Sequence, residues 1–175
     1  MVPRNVDDCD TRDVAPSARR VERLEFPADN PATVVAYMVR LAEAGDGWIN
    51  FLPKTADEDR STSLRFWTLF GGGSIGVTMC TWIPESHDRA RNPTRLGITH
   101  TTGHRAASQL ESLATPIPKD WSVEQDHPRR GLVLHVPSDA PHEQVLAWAL
   151  RAGGALSPLG NIARWRAEVY LPEVR

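Results

Sequence analysis

The chain has almost no cysteine. Only Cys9 and Cys80 occur among its 175 residues, too few for a disulfide scaffold, so a hydrophobic core has to hold the fold and a reducing compartment is expected. Lysine is equally scarce, Lys54 and Lys119 standing alone against many arginines, a bias that reads as the mark of a GC-rich genome. Neither sign of charge prevails: 20 basic and 22 acidic residues leave a formal net charge of −2, so no global field draws the protein onto nucleic acid or anionic lipid. Long apolar runs are missing too. Nothing approaches the roughly eighteen residues of a membrane-crossing helix, and no stretch of residues 1–20 resembles a signal peptide. These absences predict a cytoplasmic protein with no membrane partner.

What is present suffices for a core. Apolar residues make up 41% of the chain and charged ones 24%, a globular balance, and the length fits one domain. Residues 1–20 carry Pro3 and Pro16 among eight charges without periodicity, which reads as a disordered leader, leaving 21–175 as a single α/β domain.

Val21 to Phe26 reads as a strand. Pro27-Ala28-Asp29-Asn30-Pro31 then forms a turn in which Asp29 or Asn30 is placed to cap a helix bearing Val34, Tyr37, Met38 and Leu41 on one face and stopping at Gly45 and Gly47. Trp48 to Leu52 is a second strand. Leu64 to Phe70 and Ile75 to Ile83, joined by Gly71-Gly72-Gly73-Ser74, suggest a hairpin, and Leu96 to Thr99 a further strand. A helix is expected from about Gly103 to Ala114, with Ala106, Leu110 and Leu113 inward. Trp121 to Gln125 and Gly131 to Val136 follow as strands around an Asp126-His127-Pro128-Arg129 turn. Val145, Trp148, Ala149 and Ala152 make a last helical stripe ending at Gly153-Gly154, and Trp165, Ala167, Val169 and Leu171 alternate with polar neighbours as a closing strand.

Leu24 to Ala42 and Leu134 to Ala152 share six identities in nineteen positions, among them Pro27/Pro137, Asp29/Asp139, Pro31/Pro141 and Val35/Val145. Duplication of a β-α-β unit explains this, and so does shared cap chemistry. The element order predicts an α+β fold of the α/β class, a two-layer sandwich with three helices on a mixed, mostly antiparallel sheet of six to eight strands. It is built from two related β-α-β halves if the duplication is real, and a ferredoxin-like arrangement is its nearest familiar form.

The chemistry-bearing segment is Thr99 to Arg105. A strand running through a loop into a helix brings His100, Thr101, Thr102, His104 and Arg105 near one helix N-terminus, where free amides, hydroxyls, imidazoles and a guanidinium suit a phosphate or carboxylate. An ordinary Thr-capped helix with a wet polar rim is the competing reading. His127 and Arg129, in the Asp126 to Arg130 segment, join this group if the two loops meet at one sheet edge. Alone, that segment has the composition of a tight turn.

Other motifs carry less. Gly71 to Gly76 satisfies G-x-G-x-x-G but opens a strand, not the helix a pyrophosphate needs. His100 and His104 stand four apart without a third ligand at a recognised spacing, so no metal and no cofactor are expected. Ser74 lacks a nucleophile elbow and Cys80 reads as a small buried hydrophobe, which leaves the catalytic residues unknown. Of six tryptophans, five fall at core positions and Trp121 at an edge, with a homo-oligomer interface as the secondary reading. The sequence thus points to a binding or interaction protein for an unknown protein or a small anionic ligand. The alternative is an enzyme acting on a phosphorylated or carboxylate substrate, with His100 or His104 as general base and Arg105 holding the anion. Nucleic acid, favoured only by the arginines at 89–105 and 129–130, is opposed by the acidic total.

Overall fold

Apolar residues at every second position fold the chain into strands whose two faces differ. In the computed structural model, which describes residues 19–54, 78–87, 92–159 and 162–172, the elements run β1 (Val21–Pro27), α1 (Ala32–Ala44), β2 (Trp48–Pro53), β3 (Met79–Ile83), β4 (Arg95–Thr99), α2 (Ala106–Ser112), β5 (Ser122–His127), β6 (Gly131–His135), α3 (His142–Ala155) and β7 (Arg164–Tyr170). Among the described residues the strands form one seven-stranded sheet in the order β1-β7-β2-β3-β4-β6-β5. Every neighbouring pair is antiparallel, so the mixed element expected of the sheet is absent from its pairing. The expected class, three helices on a largely antiparallel sheet in an α+β sandwich, is what the molecule adopts. The strand order extends beyond a single ferredoxin-like unit.

Register aligns the core across the strands. Phe26 pairs with Trp165, Phe51 with both Ala167 and Cys80, Cys80 with Ile98, and Ile98 with Leu132; all are buried in a single cluster with the apolar stripes of the helices. In α1 the stripe is Val34, Val35, Met38 and Leu41, and in α3 it includes Val145, Trp148, Ala149 and Ala152, each full burial stabilising by about 1.5–3 kcal/mol for the larger side chains. Cys80 behaves as the small apolar residue expected: its thiol reaches the Ala149 carbonyl at 3.3 Å and burial pushes its pKa up to about 12. Trp121, expected at an edge, is instead buried and packs edge-on against Trp148 with centroids 5.0 Å apart. The local charges of Lys119 and Asp120 hid this, because the partner lies on a distant helix.

The opposite face is polar and partly covered. Arg23 donates to Glu168 at 3.2 Å, the hydroxyl of Thr81 bonds Asn50 at 2.9 Å, and Trp48 stacks on Tyr170 at 4.5 Å. At the sheet's outer edges β1 alternates Glu22, Arg23 and Glu25, while β5 carries an irregularity between Val123 and Gln125; charge and bulge both discourage edge-to-edge pairing.

Helix starts depart from the sequence reading. Asp29 and Asn30 do not cap α1; Pro31 occupies the cap position, as Pro141 does for α3, and neither helix has a side-chain cap bond. The likeness of the two segments therefore lies in paired prolines. In the sheet the strands either side of α1, β1 and β2, flank β7, and those either side of α3, β6 and β7, have β4, β3 and β2 between them. The expected leader up to residue 18 and the hairpin at Gly71 to Ser74 lie outside the described residues. Arg19 and Arg20 are within them, Arg19 pairing with Asp46 at 2.9 Å and the Arg20 carbonyl accepting the Leu171 amide at 3.0 Å.

Candidate functional site

Two ends of the sheet hold concentrated chemistry. At the end where β4 leaves for α2, the loop 100–105 and the β5–β6 turn meet, as Ile98 pairs with Leu132 and Leu132 with Asp126. This brings the sequence candidates to one region, where His100, Thr102 and His127 have internal partners. The His100 ring is 5% exposed, its Nδ1 lies 3.0 Å from the Thr102 hydroxyl, and its Nε2 has no partner among the described residues. The Thr102 hydroxyl also accepts the His104 amide at 3.5 Å. Thr101, His104 and Arg105 are exposed. His127 Nδ1 accepts the amides of Arg129 and Arg130 at 3.1 and 3.2 Å, which fixes the turn.

Asp126 decides what this end can bind. Its two carboxylate oxygens accept the amides of Ala106 at 2.8 Å and Ala107 at 3.3 Å, the donors that the sequence reading offered to an external phosphate or carboxylate. A capping anion from within the chain already fills the place. Asp126 belongs to β5 and not to a turn, twenty positions from the helix it caps, so no local pattern could have announced it.

The other end holds a cavity of about 210 Å³, lined by Ala42 of α1, Trp82 of β3, Glu85, His87, Thr94, the Val136–Ser138 link, Ala140, and His142 and Val145 of α3. Each polar residue is placed by a backbone feature. The Thr94 hydroxyl accepts the Glu85 amide at 3.1 Å, and the Thr94 carbonyl accepts the Val136 amide at 3.0 Å, so Glu85 and the β6–α3 link share one anchor. Ala140 closes a turn onto the Pro137 carbonyl at 3.1 Å, which sets His142 at the head of α3. The His87 ring rests on Gly45, where an added Cβ would lie 2.4 Å from its Cγ. His142 meets the Trp82 indole edge-on with centroids 5.5 Å apart.

Electrostatically the cavity is mixed. Burial holds the His142 imidazole below its usual pKa of 6.5, more strongly than Glu143 raises it, so the ring is neutral near pH 7 and both donates and accepts. Among the described residues no three His, Cys, Asp or Glu side chains gather as a metal would require, and no helix is long and apolar enough to cross a membrane. Sequence reasoning passed over this site because its polar residues come from three separate segments; the only local sign was the proline-flanked link before His142. No family model, curated protein or solved structure matches the chain.

His100 and His142 together predict an acid-sensitive fold. Burial lowers the pKa of both below 6.5, outweighing Asp126 and Glu143 respectively. The unfolded chain therefore binds these protons more readily. The stabilisation is complete above about 6.5 and is lost as pH falls from there through the folded-state pKa values. Melting temperature should drop on acidification in that window, and a His100→Gln/His142→Gln variant should show a flatter profile. An unchanged profile in the variant would refute the assignment.

Proposed function

We propose that the protein binds a small polar molecule in the cavity at the head of α3. The observation that carries this reading is the cavity itself: a recess of about 210 Å³ lined by the apolar side chains of Trp82, Val136 and Val145 and by the polar ones of Glu85, His87, Ser138 and His142. A recess that joins apolar contact to a few polar groups is the usual form of a small-molecule site. Its chemistry modifies the small anionic ligand expected from the sequence. Glu85 opposes a multiply charged phosphate and favours a ligand that offers a hydrogen-bond donor, while the Ser138 hydroxyl and neutral His142 can donate to an acceptor on the same molecule. Ligands with both groups on a compact apolar body, amino-acid-like compounds among them, fit this description better than inorganic anions do.

Enzymatic action at the 99–105 loop draws less support. His100 is buried, and the neighbouring helix amides are held by Asp126.

A thermal-shift screen of amino acids, small amides, carboxylates and phosphates tests the reading. A ligand present at a hundred times its Kd adds about 2.7 kcal/mol, which for a domain of this size raises Tm by roughly 5–10 °C. Ala140→Phe, which fills the cavity from the link before α3, should abolish the shift. A flat screen, or shifts that persist undiminished in a folded Ala140→Phe protein, would count against the cavity as the site.

A further inference from the structure

We propose that His100 is a proton-operated release for α2: charging its buried ring frees the first turn of the helix, at the end of the sheet opposite the cavity. The argument starts from the ring's surroundings. Thr102 satisfies Nδ1, whereas Nε2 is buried without a partner among the described residues. A neutral ring tolerates that arrangement, but an imidazolium carries a proton on both nitrogens and cannot stay charged in a buried site without a second acceptor.

The neighbouring elements carry three carboxylates, Glu124 and Asp126 on β5 and Glu111 on α2. Asp126 and His127 stand on β5, Arg129 and Arg130 in the turn, and His104 and Arg105 in the ring's own loop. β3 brings only the Cys80 thiol, and α2 only Glu111, in its last turn. Asp126 is the group whose charge acts on His100, and both its oxygens are occupied by the α2 amides.

A charged His100 then has two outlets. Either the ring swings to solvent, carrying the loop that runs directly into Ala106, or Asp126 turns toward it and leaves the amides of Ala106 and Ala107. Both loosen the same turn. The helix is only seven residues long, and neither its cap position, Arg105, nor an acidic residue in its first turn provides another anchor, so a short helix of marginal intrinsic stability loses its one capping contact. Release withdraws Ala106 and Leu110 from the core cluster that also contains Leu132 and Leu134 of β6, and exposes apolar surface under acid.

The test is amide exchange by NMR on the full chain, read as protection factors between about pH 7.5 and pH 5, the range over which histidine changes charge. Protection at Ala106 and Ala107 should fall by about tenfold or more, while protection in β2 and β7 stays constant. His100→Asn, which keeps an acceptor toward Thr102 and does not titrate, should abolish the fall; His100→Gln serves if the asparagine variant does not fold. Asp126→Asn, able to cap but uncharged, closes the second outlet, so persistence of the fall there selects ring expulsion. Unchanged protection while the His100 ring resonances titrate, or an equal fall in the His100 variants, would overturn the proposal.

Discussion

Trp165→Ala is expected to remove about 3–5 kcal/mol of stability, the range for deleting a buried aromatic ring, and so to lower Tm by roughly 6–20 °C. Trp165 is fully enclosed on β7, flanked by Phe26 on β1 and Pro53 on β2. Above it lies α3: a Cβ added at Gly153 would stand 3.1 Å from the indole and 2.7 Å from Cys80 Sγ. The helix sits this low on the sheet because residue 153 has no side chain, so the ring and the bare backbone share one contact. Gly153→Ala alone should be destabilising by about 1–3 kcal/mol through overpacking, and in the Trp165→Ala background its penalty should shrink, since half of the collision has gone. Urea denaturation of the two single variants and the double variant measures this coupling. If Trp165→Ala does not fold, Trp165→Leu provides the same cycle with a smaller void. A loss below about 1 kcal/mol would mean that the ring is not where the register puts it.

Gly131→Ala should rank next. Gly131 opens β6 immediately after the turn with φ +87°, and an added Cβ would lie 2.4 Å from the Ile98 carbonyl oxygen and 3.2 Å from the Thr99 Cα. Those obstacles are backbone atoms fixed in the β4–β6 ladder, so no rotamer change relieves them. Positive φ in a residue with a Cβ costs about 1–3 kcal/mol and forced overpacking about as much again, giving on the order of 2–5 kcal/mol. Chemical denaturation checks the size, and exchange at Leu132 and Leu134 checks the place. A near-neutral substitution would show that the turn is free to re-form elsewhere.

Periodicity made much of the fold legible. The stripe Val145, Trp148, Ala149 and Ala152 is buried along α3, and the alternation of Trp165, Ala167 and Val169 sets the inner face of β7. Both signals are local, carried by neighbours one turn or two residues apart. Contacts over long separations were not legible. Glu168 looked like a wet residue between two apolar ones, yet it is 1% exposed because Arg23 and the rest of the outer face close over it. Caps for α1 were sought at Asp29 and Asn30, whereas the α2 cap arrives from β5. The candidate loop at 99–105 was found from composition, which shows that polar groups are gathered but not that they already serve one another. The cavity escaped notice for the converse reason: Glu85, His87, Thr94 and His142 look ordinary apart and acquire meaning only when three segments converge.

The position of β7 bears on how the molecule can be made. It is the last of the seven strands to leave the ribosome and lies between the first two, hydrogen-bonded along its length to β1 on one side and β2 on the other. Until about 110 residues beyond β2 have been translated, about 5–20 s at ordinary elongation rates, those early strands wait without their shared neighbour, and β1 with its Phe26 has no other strand to pair with among the described residues. Closing pairs so far apart is intrinsically slow. Assembly of this half of the sheet therefore waits until β7 has been made, and holdase chaperones have their longest opportunity there.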